Sequence, residues 1–214
     1  MGWREKVFKD FSLYAVTDLH DEGSRVLQKI EQAYRGGTDI VQLRSKRLSD
    51  AALIRLGLKL GTIAKKYRKL FFVNDRVDLA LVTGADGVHL GQGDMPVCLA
   101  RKMAQRAGRK IWIGQSTHSL IQALQAVNED VDYIGVGPVF ATPTKPQAKS
   151  VGFSFVKQAA ARIRIPWVAI GGIDLKNLRS VMDAGATRVA VVRAVFAKQS
   201  PERAARELKL QLER

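Results

Sequence analysis

Eight times along the chain a short run rich in β-branched and aromatic residues gives way to a longer amphipathic run, and this alternation limits the fold more than any other feature. The candidate strands are Leu13–Thr17, Ile40–Leu43, Leu70–Val73, Gly87–Leu90, Ile111–Gly114, Tyr133–Val136, Trp167–Ile170 and Arg188–Val192. The helix-like stretches lie near 24–35, 49–67, 76–83, 95–107, 119–127, 152–163, 175–184 and 201–213. Trp167-Val168-Ala169-Ile170 is apolar on both faces, as a parallel strand covered by helices must be. Strict alternation of this kind predicts an α/β fold, a single closed (β/α)8 TIM barrel over residues 1–214. No Pro- or Ser-rich linker divides the chain.

Helices are expected to stop in a common way. Gly36-Gly37, Gly84 and Gly185 each precede the next strand by a few residues, where glycine tolerates the left-handed cap conformation. These turns belong to the end of a barrel that carries stability, and no chemistry is assigned to them.

Composition excludes more than it selects. Lys and Arg number 35 against 20 Asp and Glu, leaving a net charge of +15 that would suit anionic partners. The excess is spread along the chain without a basic tract interleaved with aromatics, so it reads as solvated outer helices, with no nucleic-acid partner expected. One cysteine, Cys98, excludes an intrachain disulfide and a cysteine-based metal site, and is expected to pack on a helix face. The apolar runs are strand-sized and the first residues carry no signal-peptide stretch, so no membrane association and a cytoplasmic location are expected. A homo-oligomer remains open.

Parallel barrels gather their sites where strands end, because the following loops converge on one mouth. Polar, chargeable or glycine residues follow every predicted strand here, including Thr17-Asp18, Gln42-Leu43-Arg44-Ser45-Lys46, Asn74-Asp75-Arg76 and Gln92-Gly93-Asp94. Ser116-Thr117-His118, Thr142-Pro143-Thr144-Lys145, Gly171-Gly172 and Arg193 complete the set. Asp75 and Asp94 follow consecutive strands, which lie about 4.8 Å apart in a sheet, so the pair can share one hard cation beside Asn74 and Gln92. Gln42, Arg44 and Lys46 alternate and, if extended, point to one side. Glutamine pairs a donor with an acceptor, while the two cations suit an anionic group. Gly171-Gly172 exposes backbone donors for a phosphate, with Val192-Arg193 opposite and Thr142, Thr144 and Lys145 adding hydroxyls and a charge. Among the histidines, His89 is expected to satisfy core hydrogen bonds, His20 to lie on the surface, and His118 to be the better candidate for chemistry.

From about residue 13 to residue 196 the chain resembles the thiamine phosphate synthase family. The resemblance rests on Leu13-Tyr14-Ala15-Val16-Thr17-Asp18, Val41-Gln42-Leu43-Arg44-x-Lys46, Asn74-Asp75-Arg76, His89-Leu90-Gly91-Gln92-x-Asp94 and Thr142-x-Thr144-Lys145, in order and each at a strand end. It implies an enzyme that joins a hydroxymethylpyrimidine diphosphate to a thiazole phosphate with magnesium, releasing diphosphate. It implies catalytic roles for Arg44, Ser116 and Lys145, and magnesium held by Asp75 and Asp94. Substrate binding then falls to Gln42, Arg44, Lys46, Asn74, Ser116, Thr142, Thr144, Lys145, Gly172, Val192 and Arg193. Relatives often carry an acidic residue where Ser45 stands and usually serine where Arg193 stands.

The expected chemistry is a dissociative substitution, in which diphosphate leaves and the thiazole nitrogen captures a pyrimidine-stabilised cation. It needs positioning and charge stabilisation and no protein nucleophile. Two other readings stay open. A related barrel, the thiazole tautomerase, uses a histidine after the fifth strand, a place His118 would fill. A non-catalytic binding protein would keep the pocket without turnover.

Overall fold

Each apolar run buries both faces, and that burial builds the sheet. The structure, a computed structural model, describes residues 1–20, 25–144, 147 and 149–213. Its strands are β1 Leu13–Val16, β2 Ile40–Leu43, β3 Leu70–Asn74, β4 Gly87–Leu90, β5 Trp112–Thr117, β6 Tyr133–Val136, β7 Trp167–Ile170 and β8 Val189–Val191. They close in sequence order into one barrel, every neighbour parallel and β8 returning to β1. The helices are α1 Trp3–Asp10, α2 Arg25–Arg35, α3 Asp50–Lys66, α4 Val77–Val82 and α5 Val97–Arg106, then α6 Leu120–Asn128, α7 Gly152–Arg162, α8 Leu178–Asp183, α9 Arg193–Phe196 and α10 Pro201–Leu212. The predicted (β/α)8 barrel is therefore the architecture observed.

Two apolar cores follow from the alternation of side chains along each strand. Outward-facing residues such as Leu13, Val41, Phe71 and Ile113 meet the helix ring. Inward-facing Tyr14, Ile40, Leu70, Phe72 and Tyr133 fill the barrel itself. The helix α1, which the strand-helix alternation does not call for, closes the lower end. Its Phe8 ring stacks on Trp112 at 4.6 Å between centroids, and Trp3 and Val7 pack beside it.

Three aspartates brace that lower end, each just ahead of an even-numbered strand. Asp39 accepts the N–H groups of Ser12 and Leu13, Asp86 that of Phe71, and Asp132 that of Ile113. Each also pairs with cations: Asp39 with Lys69 and Lys209, Asp86 with Arg4, Asp132 with Arg101.

Three local expectations are corrected. The strand β5 starts one residue later than expected and runs on to Thr117, because Ser116 and Thr117 stay in register with Gly135 and Val136 and the Thr117 hydroxyl donates to the Gly135 carbonyl at 2.8 Å. The strand β8 is shorter than predicted and gives way at Arg193 to the one-turn helix α9. Cys98 does not pack: α5 buries Val97, Ala100 and Ala104, a helical spacing that leaves position 98 outside.

Candidate active site

At the upper end of the barrel the strands deliver their last inward-facing residues into a cavity of about 380 Å³, to which all eight strands or the loops after them contribute. That volume suits a drug-sized or metabolite-sized ligand. Gln42, Arg44, Asn74, Asp75 and Ser116 all line it, from β2, β3 and β5. Gln42 and Arg44 are buried, and the guanidinium of Arg44 pairs with Asp18, which orients it. The Arg44 backbone is held in turn by Thr17, whose hydroxyl accepts from the Arg44 N–H at 2.8 Å and donates to its carbonyl at 3.0 Å.

Lys46 does not follow its two neighbours. Strand β2 ends at Leu43, the chain bends, and Lys46 is exposed on a second hollow of about 250 Å³ that also borders Arg44, Asn74 and Asp75. The alternation of period two holds only while the backbone stays extended.

Asp75 lies just past β3 with φ of +62°, in the left-handed region that aspartate visits more readily than most residues. Its N–H donates to the His89 carbonyl at 2.8 Å, which ties the turn to the neighbouring strand. Asp94 is exposed on the next loop, outside the residues that line the larger cavity. One of its oxygens accepts from the Gly91 N–H at 2.6 Å, so it braces its own loop and does not cap α5, which starts at Val97 after Pro96. Among the described residues no group of three or more His, Cys, Asp or Glu could hold a metal. Two oxygen donors on consecutive loops still suit magnesium, which commonly takes one or two carboxylates and completes its shell with water and substrate phosphates.

The opposite rim is built from backbone. Gly171 and Gly172 have φ of +105° and +66°, and a Cβ on Gly171 would stand 2.4 Å from that of Pro138. Only glycine lets the loop after β7 lie against the loop after β6, where Phe140 donates to the Gly171 carbonyl at 3.0 Å. Thr142, Thr144, Gly172, Val192 and Arg193 line the cavity here, and Val192 is the residue from which α9 begins. Lys198, which the motifs did not point to, adds a second cation to this side. Lys145 lies outside the described residues.

The histidines divide as their surroundings dictate. His20 is exposed, as expected. His118 lines the cavity and its Nδ1 lies 2.5 Å from the Gly137 carbonyl, an atom that can only accept. Nδ1 therefore carries a proton, and Nε2 of the neutral ring is the acceptor. His89 is hydrogen-bonded through both ring nitrogens, as a core histidine should be, yet it also lines the cavity. Nδ1 meets the Tyr133 hydroxyl and Nε2 the Ser116 hydroxyl, each at 2.9 Å. Tyr133 in turn meets Tyr14 at 3.0 Å, and Tyr14 accepts from Gln42 at 2.8 Å. The motifs do not point to this polar web, because they assign Tyr14 and Tyr133 no role. Their inward position on alternating strand sites was the available signal.

Comparison with known proteins adds three findings. Residues 13–195 match the family model described as thiamine monophosphate synthase. The chain is 46% identical to a thiamine-phosphate synthase of Thermosynechococcus vestitus over 92% of its own length and 54% of that protein's, and 48% identical to one of Thermus thermophilus over 87% of its own length and 88% of that protein's. It thus spans about half the length, 54–58%, of the first relatives it matches. A solved thiamine phosphate pyrophosphorylase of Pyrococcus furiosus superposes with a TM-score of 0.87 at 34% identity, covering 97% of this chain and 98% of the other.

Proposed function

The chain belongs to the thiamine monophosphate synthase family, and from that premise we propose that its barrel mouth joins a hydroxymethylpyrimidine diphosphate to a thiazole phosphate, releasing diphosphate. One observation carries the reading. A single cavity collects Gln42, Arg44, Asn74, Asp75 and Ser116 on one side and Thr142, Thr144, Gly172, Val192 and Arg193 on the other, so two anionic partners can face each other across it.

In this reading the bond between the pyrimidine methylene and the diphosphate oxygen breaks first, and its electron pair leaves with diphosphate. The thiazole nitrogen then donates its lone pair to the methylene carbon. Arg44, fixed by Asp18, meets the leaving charge with a preorganised donor, and the family resemblance gives Lys46 and Lys145 supporting charges for it. Gln42 and Ser116 hold the pyrimidine edge. The backbone of Gly172 and Val192, with the Thr142 and Thr144 hydroxyls, holds the thiazole phosphate, and Arg193 adds charge there. Asp75 and Asp94 would hold magnesium. When bound, that ion neutralises charge on diphosphate as it departs.

The test is turnover of the two phosphorylated substrates, followed as diphosphate release with and without magnesium. Magnesium-dependent release that needs both substrates is expected. No release from either combination would defeat the proposal. The His118 geometry favours one second reading, the isomerase, because an acceptor Nε2 at the cavity wall suits proton transfer on a thiazole ring. Isomerisation of thiazole phosphate with no pyrimidine present would favour it.

Among the described residues no helix is long and apolar enough to cross a membrane. A cytoplasmic setting, small-molecule substrates without a nucleic-acid partner, and assembly into a homo-oligomer are parts of the same proposal.

A further inference from the structure

Hydrogen-bonding side chains from five different strands are linked one to the next inside the barrel: Gln42, Tyr14, Tyr133, His89 and Ser116. Tyr133 alone among them does not line the cavity and is wholly buried. We infer that this line has one direction, that it makes Ser116 a hydrogen-bond donor toward the ligand, and that Tyr133 is the positioning residue through which Gln42 sets the tautomer of His89.

The direction follows from what each group can do. The amide nitrogen of Gln42 can only donate, so the Tyr14 oxygen accepts there, at 2.8 Å. The Tyr14 proton must go to its other neighbour, the Tyr133 oxygen at 3.0 Å. Having accepted, Tyr133 sends its own proton to His89 Nδ1 at 2.9 Å. A neutral imidazole that accepts at Nδ1 carries its proton on Nε2, which then donates to the Ser116 oxygen at 2.9 Å. The Ser116 proton is left for the cavity. Burial pushes both tyrosines well above the ordinary phenol range, so both keep the protons the line requires.

The fold makes room for this line. A Cβ at Gly114 would fall 2.1 Å from the Tyr133 ring, so the ring lies in a notch that only glycine leaves. Gly135 gives His89 similar space, with a would-be Cβ 3.3 Å from Cε1.

The consequence is an acceptor and a donor on the lining of one cavity. Gln42, held by its nitrogen, presents a carbonyl acceptor, while Ser116 presents a donor. A ring with an amino group on one edge and an unprotonated nitrogen beside it satisfies both, whereas the corresponding oxo ring does not. This selection of an aminopyrimidine rests on the synthase reading. The direction of the line does not.

The two can be separated experimentally. Nitrogen-15 spectra of histidine-labelled full-length chain at about pH 8, where an ordinary histidine is neutral, report which His89 nitrogen holds the proton. Wild type should show Nε2–H. In Gln42→Glu the carboxylate can only accept, so every bond in the line should reverse and His89 should become Nδ1–H. In a Tyr133→Phe background the Gln42→Glu change should leave His89 as it was. Wild-type Nδ1–H, an unchanged tautomer in Gln42→Glu, or a switch that survives Tyr133→Phe would overturn the inference. In turnover, Tyr133→Phe should raise KM for the pyrimidine diphosphate about five- to tenfold, the worth of one hydrogen bond, with KM for thiazole phosphate unchanged. An equal rise in both would mark a merely structural tyrosine and count against it. Absence of wild-type turnover with the tautomer switch intact would defeat the synthase reading and leave the line standing.

Discussion

The two ends of this barrel use the same side chain for opposite purposes. At the lower end Asp39 is buried, and its oxygens are committed to two backbone N–H groups and two lysine ammoniums, each 2.6 Å away. At the upper end Asp75 and Asp94 are exposed on loops that border the cavity or stand beside it. A carboxylate surrounded by fixed donors holds strands together. The exposed pair at the mouth is the one proposed to meet a cation that arrives with substrate. In the proposed reading stability and chemistry are thereby separated along the barrel axis, and substitutions at the two ends should separate them as well.

The largest effect should come from the lower end. Asp39→Ala would leave Lys69 and Lys209 without their shared partner and two N–H groups without an acceptor, costing about 3–5 kcal/mol of stability. Urea unfolding reads the loss, and turnover per folded molecule should stay near wild type. A large fall in turnover would break the separation.

Next comes the upper end. Asp94→Ala should lower turnover about a hundredfold and blunt the magnesium response, in the range of a lost electrostatic contribution to catalysis, with an unfolding midpoint close to wild type. Near-normal turnover would remove Asp94 from the proposed metal site.

A finer contrast lies within the lower end. Burial opposes charge on Asp39, but Lys69 and Lys209 outweigh it and hold the carboxyl below its usual range. Its contribution is therefore complete above the unfolded value, about 3.9, and disappears as pH falls through the lower folded value. Burial also acts on Asp86, and there the Phe71 N–H and Arg4 do not outweigh it, so its carboxyl is raised. Its contribution declines as pH rises from the unfolded value through the folded one. As pH rises to about 4 the stability gap between wild type and Asp39→Asn should widen, and above that it should level off. The gap for Asp86→Asn should move the other way. Parallel slopes would contradict the difference in their surroundings.

The smallest effect should be at Arg193. This exposed cation lines the rim where relatives usually carry serine, and Arg193→Ser should raise KM for thiazole phosphate only about two- to fivefold, as expected of an exposed charge pair. A change larger than tenfold, equivalent to about 1.4 kcal/mol, would make it a principal phosphate ligand.

Much of this was legible before any coordinates. Glycines at 36–37, 84 and 185 stop helices where expected, and the four-residue runs Ile40–Leu43, Gly87–Leu90, Tyr133–Val136 and Trp167–Ile170 are strands with unchanged bounds. Gln42, Arg44, Asn74, Asp75, Ser116, Thr142, Thr144, Gly172, Val192 and Arg193 were singled out by standing at strand ends, and they line one cavity. Lys46 stands past the bend that ends β2 and borders the second hollow, and Cys98 lies on the outer face of α5, because local period does not say where an element bends or which face it turns outward.

Order along the chain, then, determined the barrel, because short runs apolar on both faces and separated by amphipathic helices have one economical way to bury a parallel sheet. It also determined which residues arrive at the mouth, since strand direction alone decides which end they reach. Only the tertiary structure decided that α1 closes the lower end, that Asp94 turns back on Gly91, and that Tyr14 and Tyr133 meet His89 across the barrel. Those contacts join residues up to 119 positions apart. Their partners are chosen by the register of closure and by the space a glycine leaves, and neither is written in any local stretch of sequence.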